Sequence, residues 1–191
     1  MDDNFQQYKN VFRLDTFYFD QLFPLLKIRR IKKSEYFIRQ GDHCQYFAFV
    51  KHGSLRSFHI NEEGNDISYN FHFSGQSFTE YESLLQNKES ALNIQALEDS
   101  ELFLLHKEDL KNLYSIDPYW QAYGRQMKEF LYMDSKKRIE DLLYHSPEKR
   151  YKNLLEKSPH IFRIVPQKYI ASYLGITPQS LIRIRKRISK S

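Results

Sequence analysis

The residues best suited to recognition chemistry lie near the C-terminus, between Pro166 and Arg187. Four of them recur at offsets of three and four, which places them on one face of a helix. A glutamine can pair with adenine, an arginine with O6 and N7 of guanine, and an isoleucine can contact the methyl group of thymine. The pattern predicts base reading in the major groove of DNA by Gln179, Ile182, Arg183 and Lys186. For Ile182, packing against the chain's own barrel is an equally good interpretation.

The residues before this stripe are typical of two helices that meet in a tight turn. Ala171 is small where the helices must approach, and Gly175 tolerates the positive φ that such a turn requires. Thr177 can cap the second helix, and Pro178 suits its first turn. We therefore predict a helix-turn-helix, with an ordinary helical hairpin as the alternative.

Positive charge is concentrated around the same segment. Residues 146–191 carry eleven Lys or Arg and two Glu, a formal charge of +9, whereas the rest of the chain carries −4. Such asymmetry is expected where a domain meets a polyanion. The residues best placed for phosphate contacts are Lys168, Thr177, Ser180, Arg185 and Arg187.

Other chemistries have little support in the sequence. A metal-dependent enzyme built on a barrel would have to use His59, His72 and Glu80 or Glu82, yet no His-x-His pair occurs. The single cysteine, Cys44, excludes an intramolecular disulfide, and no Gly-x-Ser-x-Gly elbow is present. We therefore expect no catalytic residues, no metal and no cofactor.

The apolar runs are short. The run Tyr46–Val50 is far below the roughly 20 residues that span a bilayer, and the acidic N-terminus lacks the features of a signal peptide. We expect a cytoplasmic protein with no membrane partner.

The N-terminal part of the chain must form the scaffold. Residues 5–28 fit one or two short amphipathic helices. Short runs rich in β-forming residues then alternate with turns as far as His106, and Glu80–Leu85 interrupts them with a stretch that fits one helical turn. The predicted strands are Tyr36–Ile38, Tyr46–Val50, Leu55–Ile60, Ile67–Phe73, Leu92–Ala96 and Leu102–Leu105. We predict a β jelly roll over residues 1–116.

A long helix follows over residues 117–146, with Asp117 as its N-cap and Pro118 in its first turn. Its 3/4-spaced stripe predicts a dimer seam through Trp120, Tyr123, Met127, Phe130, Leu131 and Asp134, continuing to Arg138 and Leu142. The alternative is a helix that packs only on its own barrel. Residues 147–191 complete an α+β chain as the helical helix-turn-helix domain.

The motifs resemble the Crp/Fnr family of bacterial transcription regulators over nearly the whole chain. The opening of that family's cyclic-nucleotide-binding domain is similar to three stretches of this sequence, which are Phe37–Asp42, Tyr46-Phe47 and Val50–Arg56. The stretches from Glu140 to Tyr151 and from Ile170 to Lys186 are similar to its DNA-binding end. The resemblance implies a homodimer, a palindromic DNA operator and RNA polymerase as a partner.

The sequence departs from the family where an effector would bind. Cyclic-nucleotide binders of the family hold the phosphate with an arginine, and that position falls near Ser90 here. Lys88 could contribute a positive charge, but it is surrounded by Glu80, Glu82 and Glu89, which would repel an anion. We therefore expect no binding of cyclic AMP, and either an unidentified small molecule or no ligand in a pocket lined by Gly75, Gln76, Ser77, Phe78, Glu80, Glu82, Ser90 and Ala91.

Two further expectations follow from the sequence. The chain has no clear β-wing after the predicted recognition helix, so the backbone contacts of a wing are not expected. A dimeric adaptor that binds proteins rather than DNA is a third class of function, against which the basic C-terminus argues.

Overall fold

A computed structural model describes residue 12 and residues 14–188. Helix α1 spans Thr16–Leu22, and the side chain of Asp15 caps it by accepting a hydrogen bond from the Tyr18 amide at 3.0 Å. A short 3₁₀ turn, Phe23–Leu25, leads into the first strand. The part of the predicted N-terminal helices that falls on residues 5–11 lies outside the described residues.

Eight strands follow, with one short helix between the sixth and the seventh. The strands are β1 Lys27–Ile31, β2 Tyr36–Ile38, β3 Tyr46–His52, β4 Ser54–Ile60, β5 Asp66–Phe73, β6 Ser77–Phe78, β7 Asn93–Ala96 and β8 Ser100–His106, and the helix α2 is Tyr81–Gln86. They form two four-stranded sheets, with the orders β1-β8-β3-β6 and β2-β7-β4-β5. The pairings of β8 with β1 and β3 are antiparallel.

Aromatic rings fill the interior of this barrel. The Phe12 ring lies 4.3 Å from that of Phe49, and the Phe37 ring lies 5.0 Å from that of Phe78. His72 stacks on Phe78 at 4.9 Å, and its Nε2 is 2.7 Å from the Ser57 hydroxyl. These rings supply much of the apolar surface that is buried between the two sheets.

Charged residues join neighbouring strands of the first sheet. The Glu101 carboxylate lies 3.0 Å from Arg30 Nε and 2.7 Å from Lys51 Nζ, which link β8 to β1 and β3. The hydrogen bond from Lys51 holds the pKa of Glu101 below its ordinary value against the opposing effect of burial.

The turn between β3 and β4 requires a glycine. Gly53 has a φ of +97°, and a Cβ at this position would stand 2.2 Å from the Ser100 hydroxyl oxygen. A side chain would be strained by the backbone and would collide with β8.

The rest of the described chain is helical. The helices are α3 Lys107–Ile116, α4 Pro118–Tyr144, α5 Pro147–Lys157, α6 Ile161–Ile164, α7 Gln167–Tyr173 and α8 Pro178–Ile188. Proline occupies the first position of α4 and α5, and the side chains of Asp117 and Ser146 cap these two helices. No helix in the described part of the chain is long and apolar enough to cross a membrane.

The contacts divide the chain into two compact units. Of the described residues, one unit comprises those up to Ser57 together with Phe71–Leu113, and the other comprises Phe58–Asn70 together with those from Tyr114 onward. The outer part of the β4–β5 hairpin therefore belongs with the C-terminal helices. The division into residues 1–116, 117–146 and 147–191 stays a prediction.

Candidate nucleic-acid interface

Helices α7 and α8 form the motif predicted from the sequence. Ile170, Ala171, Leu174, Leu181 and Ile184 are all buried. Their spacing of three or four positions along each helix forms one apolar face, and the two faces pack together.

The turn between these helices has the expected backbone. Gly175 has a φ of +64°, and its amide donates to Ser172 O at 3.0 Å. The next amide, that of Ile176, donates to Ala171 O at 3.0 Å. These bonds satisfy amides and carbonyls at the end of α7 that would otherwise lack partners.

A side-chain cap starts α8. The Thr177 hydroxyl accepts a hydrogen bond from the Ser180 amide at 3.2 Å, and the Leu181 amide donates to Thr177 O at 3.0 Å. Pro178 occupies the first helical position. The local sequence thus fixes where α8 begins and which side it buries.

The predicted base-reading residues come together on the opposite side of α8. Gln179, Ile182, Arg183 and Lys186 are all exposed. Ile182 keeps 44% of its surface exposed although Leu181 and Ile184 beside it are buried. Within its own chain Ile182 is therefore not a core residue, which favours contact with a partner over local packing.

The predicted phosphate-contacting residues are divided between two helices. Lys168 is exposed in the first turn of α7, whereas Thr177, Ser180, Arg185 and Arg187 lie at or in α8. Arg187 NH1 is 3.2 Å from Glu148 Oε2 of α5, and Lys152 binds the other oxygen of that carboxylate at 3.1 Å. This ion pair holds the C-terminal part of α8 against α5.

Two arginines hold the end of α7, a role that the sequence did not predict, although it placed Arg138 in the stripe of the dimer seam. Arg150 of α5 donates from Nε to Leu174 O at 3.0 Å and from NH1 to His145 O at 2.7 Å. Arg138 of α4 donates to Tyr173 O, and burial lowers the pKa of its guanidinium from the ordinary value. Basic side chains often donate hydrogen bonds to the free carbonyls at the C-terminus of a helix. The sequence alone does not predict which helix an arginine on another helix will reach.

The β4–β5 hairpin also binds α7. The Ser172 hydroxyl accepts a hydrogen bond from the Ser68 amide at 2.8 Å and donates to Asp66 O at 3.1 Å. One side chain of the helix-turn-helix thus satisfies two backbone groups at the start of β5.

Helix α4 has buried and half-buried residues along one side. Trp120 is only 1% exposed, and a Cβ at Gly124 would stand 2.3 Å from the Tyr114 hydroxyl. Asp134 accepts from Lys157 Nζ at 2.8 Å. Three members of the predicted seam, Tyr123, Met127 and Leu131, are half-buried.

The other side of α4 presents an apolar surface. Phe130 is the seam residue found here, with 60% of its surface exposed. The exposed apolar face consists of Phe130, Tyr132, Met133, Ile139, Leu143 and Tyr144. An exposed apolar surface on a long helix marks an interaction site.

The predicted effector-pocket residues do not share one environment. Four of them are exposed, namely Gly75, Gln76, Glu82 and Ala91. One, Ser77, is half-buried, and three are buried, namely Phe78, Glu80 and Ser90. The three buried residues are the ones that could face an enclosed ligand.

The polar groups among these residues have partners within the protein. Glu80 Oε2 accepts from the Ser83 amide at 2.6 Å, as the N-cap of α2. The Ser90 hydroxyl donates to Leu92 O at 2.7 Å, and Lys88 pairs with Glu82 at 3.1 Å. Within the stretch 77–92, all of which the structure describes, Lys88 is the one cationic residue, and its side chain is exposed and not aimed at a buried phosphate.

Side chains that the sequence offered for metal or thiol chemistry form contacts within the folded protein. His72 meets Ser57 and Phe78, and Glu80 caps α2. The buried Cys44 has its sulfur 3.4 Å from Tyr46 O. Among the described residues, no group of three or more His, Cys, Asp or Glu is arranged to hold a metal ion.

Comparisons with known proteins agree with this organisation. Residues 28–117 match the cyclic nucleotide-binding domain family. FixK2 from Bradyrhizobium japonicum is 18% identical, with a TM-score of 0.76, and the match covers 86% of this chain and 85% of that one. A protein from Eubacterium rectale described as a transcriptional regulator of the Crp/Fnr family is 20% identical, with a TM-score of 0.70 over 93% of this chain and 84% of that one.

A third similar structure is that of CLP from Xanthomonas campestris, described as a c-di-GMP responsive global regulator. It is 15% identical, with a TM-score of 0.67, and the match covers 92% of both chains. A search of curated proteins found no match.

These likenesses confirm the predicted α+β fold class, with a β-rich N-terminal domain, a long helix and C-terminal helices. They also confirm the predicted resemblance to the Crp/Fnr regulators. Two of these similar structures, from Eubacterium rectale and Xanthomonas campestris, are described as regulators.

Proposed function

The chain carries a cyclic nucleotide-binding domain in the fold of the Crp/Fnr regulators, and on that premise we propose that it is a homodimeric transcription regulator that reads DNA with α8. One observation carries this proposal. Gln179, Ile182, Arg183 and Lys186 are exposed together on a helix whose opposite face is buried. That helix lies in the segment of the chain with a formal charge of +9.

Each exposed side chain has a role that its chemistry allows. Arg183 reads guanine through two parallel hydrogen bonds, and Gln179 reads adenine. Ile182 contacts a thymine methyl group, a contact that its exposed surface favours. Lys168, at the start of α7, binds phosphate and contributes affinity without sequence preference.

A second copy of the chain is the proposed occupant of the exposed apolar face of α4. Three of its six residues lie at the start, between Phe130 and Met133, and the other three are Ile139, Leu143 and Tyr144. Packing two such faces together would remove large apolar side chains from water. Two recognition helices would then meet successive major grooves of a palindromic operator about 34 Å apart.

The anchoring of α7 supports a mechanical link between this dimer helix and the DNA reader. Arg138 lies on α4 and Arg150 on α5, and both donate to the carbonyls that end α7. A change in the packing of α4 would therefore act on α7 directly, because helices transmit displacement as stiff elements.

The proposed effector is not a cyclic nucleotide. Ser90 occupies the position where an arginine would hold the phosphate, and the Glu80 carboxylate already caps α2. CLP, a similar structure, is described as responsive to c-di-GMP, a dinucleotide, so a match to this domain family does not by itself identify the ligand. This part of the proposal has two forms, an unidentified small molecule or no ligand.

Binding to DNA at increasing salt tests the proposal. A duplex enriched by the protein from random sequences is compared with a scrambled duplex between about 50 and 200 mM salt. We expect the affinity for both to fall steeply with salt and the enriched duplex to keep an advantage of about 10³-fold or more. Equal affinity for both duplexes would exclude a sequence-specific regulator. Affinity that ignores salt would exclude the phosphate contacts.

A further inference from the structure

Three side chains at the start of α8 form a hydrogen-bonded series that ends on the main base-reading residue. The Thr177 hydroxyl donates to the Ser180 hydroxyl oxygen at 3.0 Å, and Arg183 NH2 donates to that same oxygen at 3.1 Å. The Thr177 oxygen in turn accepts from the Ser180 amide at 3.2 Å. The helix cap and the arginine are thus connected through one serine.

Counting donors and acceptors defines what this series leaves available. The Ser180 oxygen accepts two hydrogen bonds, which uses both of its lone pairs, and its own hydrogen stays available to donate. The guanidinium of Arg183 has five N–H groups, so one bond to Ser180 leaves four. Four donors are enough for two parallel bonds to guanine O6 and N7.

Arginine is a flexible residue to use for base reading. Its side chain carries about 2 kcal/mol of rotamer entropy, which is lost when the guanidinium is fixed against a base. A contact made before DNA arrives reduces that loss, because the side chain is already held near its bound orientation. Ser180 is half-buried and stands three positions before Arg183, on the same side of α8.

We propose that Ser180 is a positioning residue that orients Arg183 for guanine recognition and so determines specificity at one base pair. This inference rests on the proposed function, since it requires that α8 reads DNA. It differs from the role assigned to Ser180 from sequence, which was a phosphate contact alone. The two roles have different signatures, because a phosphate contact affects all sequences equally.

The test uses the full chain with two duplexes, the enriched operator and the same operator with the Arg183-contacted base pair replaced. The specificity ratio is the affinity for the first divided by that for the second. We expect Ser180→Ala to lower this ratio about tenfold. Ser180→Thr, which keeps the hydroxyl, should retain it. Ser180→Ala keeps the amide that Thr177 caps, and circular dichroism would verify that α8 is intact.

A double-mutant cycle separates positioning from phosphate binding. In an Arg183→Ala background, Ser180→Ala should leave the specificity ratio unchanged. Equal losses on both duplexes from Ser180→Ala in the wild-type background would overturn the positioning role and leave the DNA-binding function standing. A wild-type protein with a ratio of one at every operator base pair would instead overturn the proposed function, and this inference with it.

Discussion

The guanidinium of Arg138 lies over the ring of Tyr173, 3.7 Å from its centroid, and donates a hydrogen bond to the carbonyl of the same residue. One side chain of the long helix therefore contacts both the ring and the backbone at the end of α7. The stacked guanidinium is partly removed from water, which is why burial lowers its pKa, yet an arginine remains charged in a protein.

Arg138→Ala should weaken the C-terminal unit. It removes the ring contact and leaves a part-buried carbonyl without its donor, which costs about 1–3 kcal/mol in free energy of unfolding. Chemical denaturation measures this loss. Lys136→Ala, which removes only a pair with Glu140 on the surface of α4, is the control and should change stability by about 0.5 kcal/mol or less. A loss as small as the control's would show that Arg138 does not anchor α7.

Ser172→Ala should loosen the β4–β5 hairpin from α7. The Ser68 amide loses its acceptor, so its hydrogen exchange should accelerate about three- to tenfold. Alanine is a good helix former, so α7 itself should persist. The Ile176 amide, which donates to Ala171 O in the turn, is an internal control that should exchange at its original rate. An unchanged Ser68 amide would mean that the hydroxyl does not hold the hairpin.

Arg183 and Lys168 should differ in how they affect DNA binding. Arg183→Ala should cost about 1–3 kcal/mol on the operator and relax the preference at one base position. Lys168→Ala should weaken binding to all sequences alike and lower the salt dependence by about one unit. Titrations on cognate and scrambled duplexes measure both effects. Equal losses on the two duplexes for Arg183→Ala would refute its base-reading role.

Met133→Asp should disrupt the proposed dimer. The side chain is 58% exposed on α4, so a charge there is tolerated by the monomer but not between two apolar faces. Light scattering should give twice the chain's mass for the wild type and the mass of one chain for the variant. Ile164→Asp, on α6 and 41% exposed, is the matched control and should stay dimeric. A monomeric wild type would contradict the assignment of this face.

The sequence predicted best those elements whose ends are marked by local chemistry. The turn between β3 and β4 requires the positive φ of Gly53. Gly175 forms the turn before α8, and Thr177 and Pro178 mark the start of that helix. Each of these residues acts within a few positions of itself, so its effect is visible without the rest of the fold.

Elements that depend on distant contacts were missed. The strand Lys27–Ile31 is mostly charged and exposed, and it is defined by its pairing with β8, whose residues lie 69 to 77 positions later in the chain. Ser77–Phe78 is a two-residue strand that pairs with β3. Neither segment has the period-two apolar pattern of a half-buried strand.

The long helix illustrates the same limit for the candidate site. Periodicity identified an apolar stripe, but it cannot tell which side of a helix its own chain covers. Trp120 is buried, whereas Phe130 is exposed. The hydrogen bonds of Arg138 and Ser172 likewise join residues 35 and more than 100 positions apart, so they required the folded chain.

Selection of binding sites from random double-stranded DNA tests the central claim most directly. We predict an enriched inverted repeat whose half-site centres are about 10 base pairs apart, with a guanine in each half-site. The Arg183→Ala variant should no longer select that guanine. Failure of any sequence to enrich, under conditions where the protein is folded and dimeric, would contradict the account.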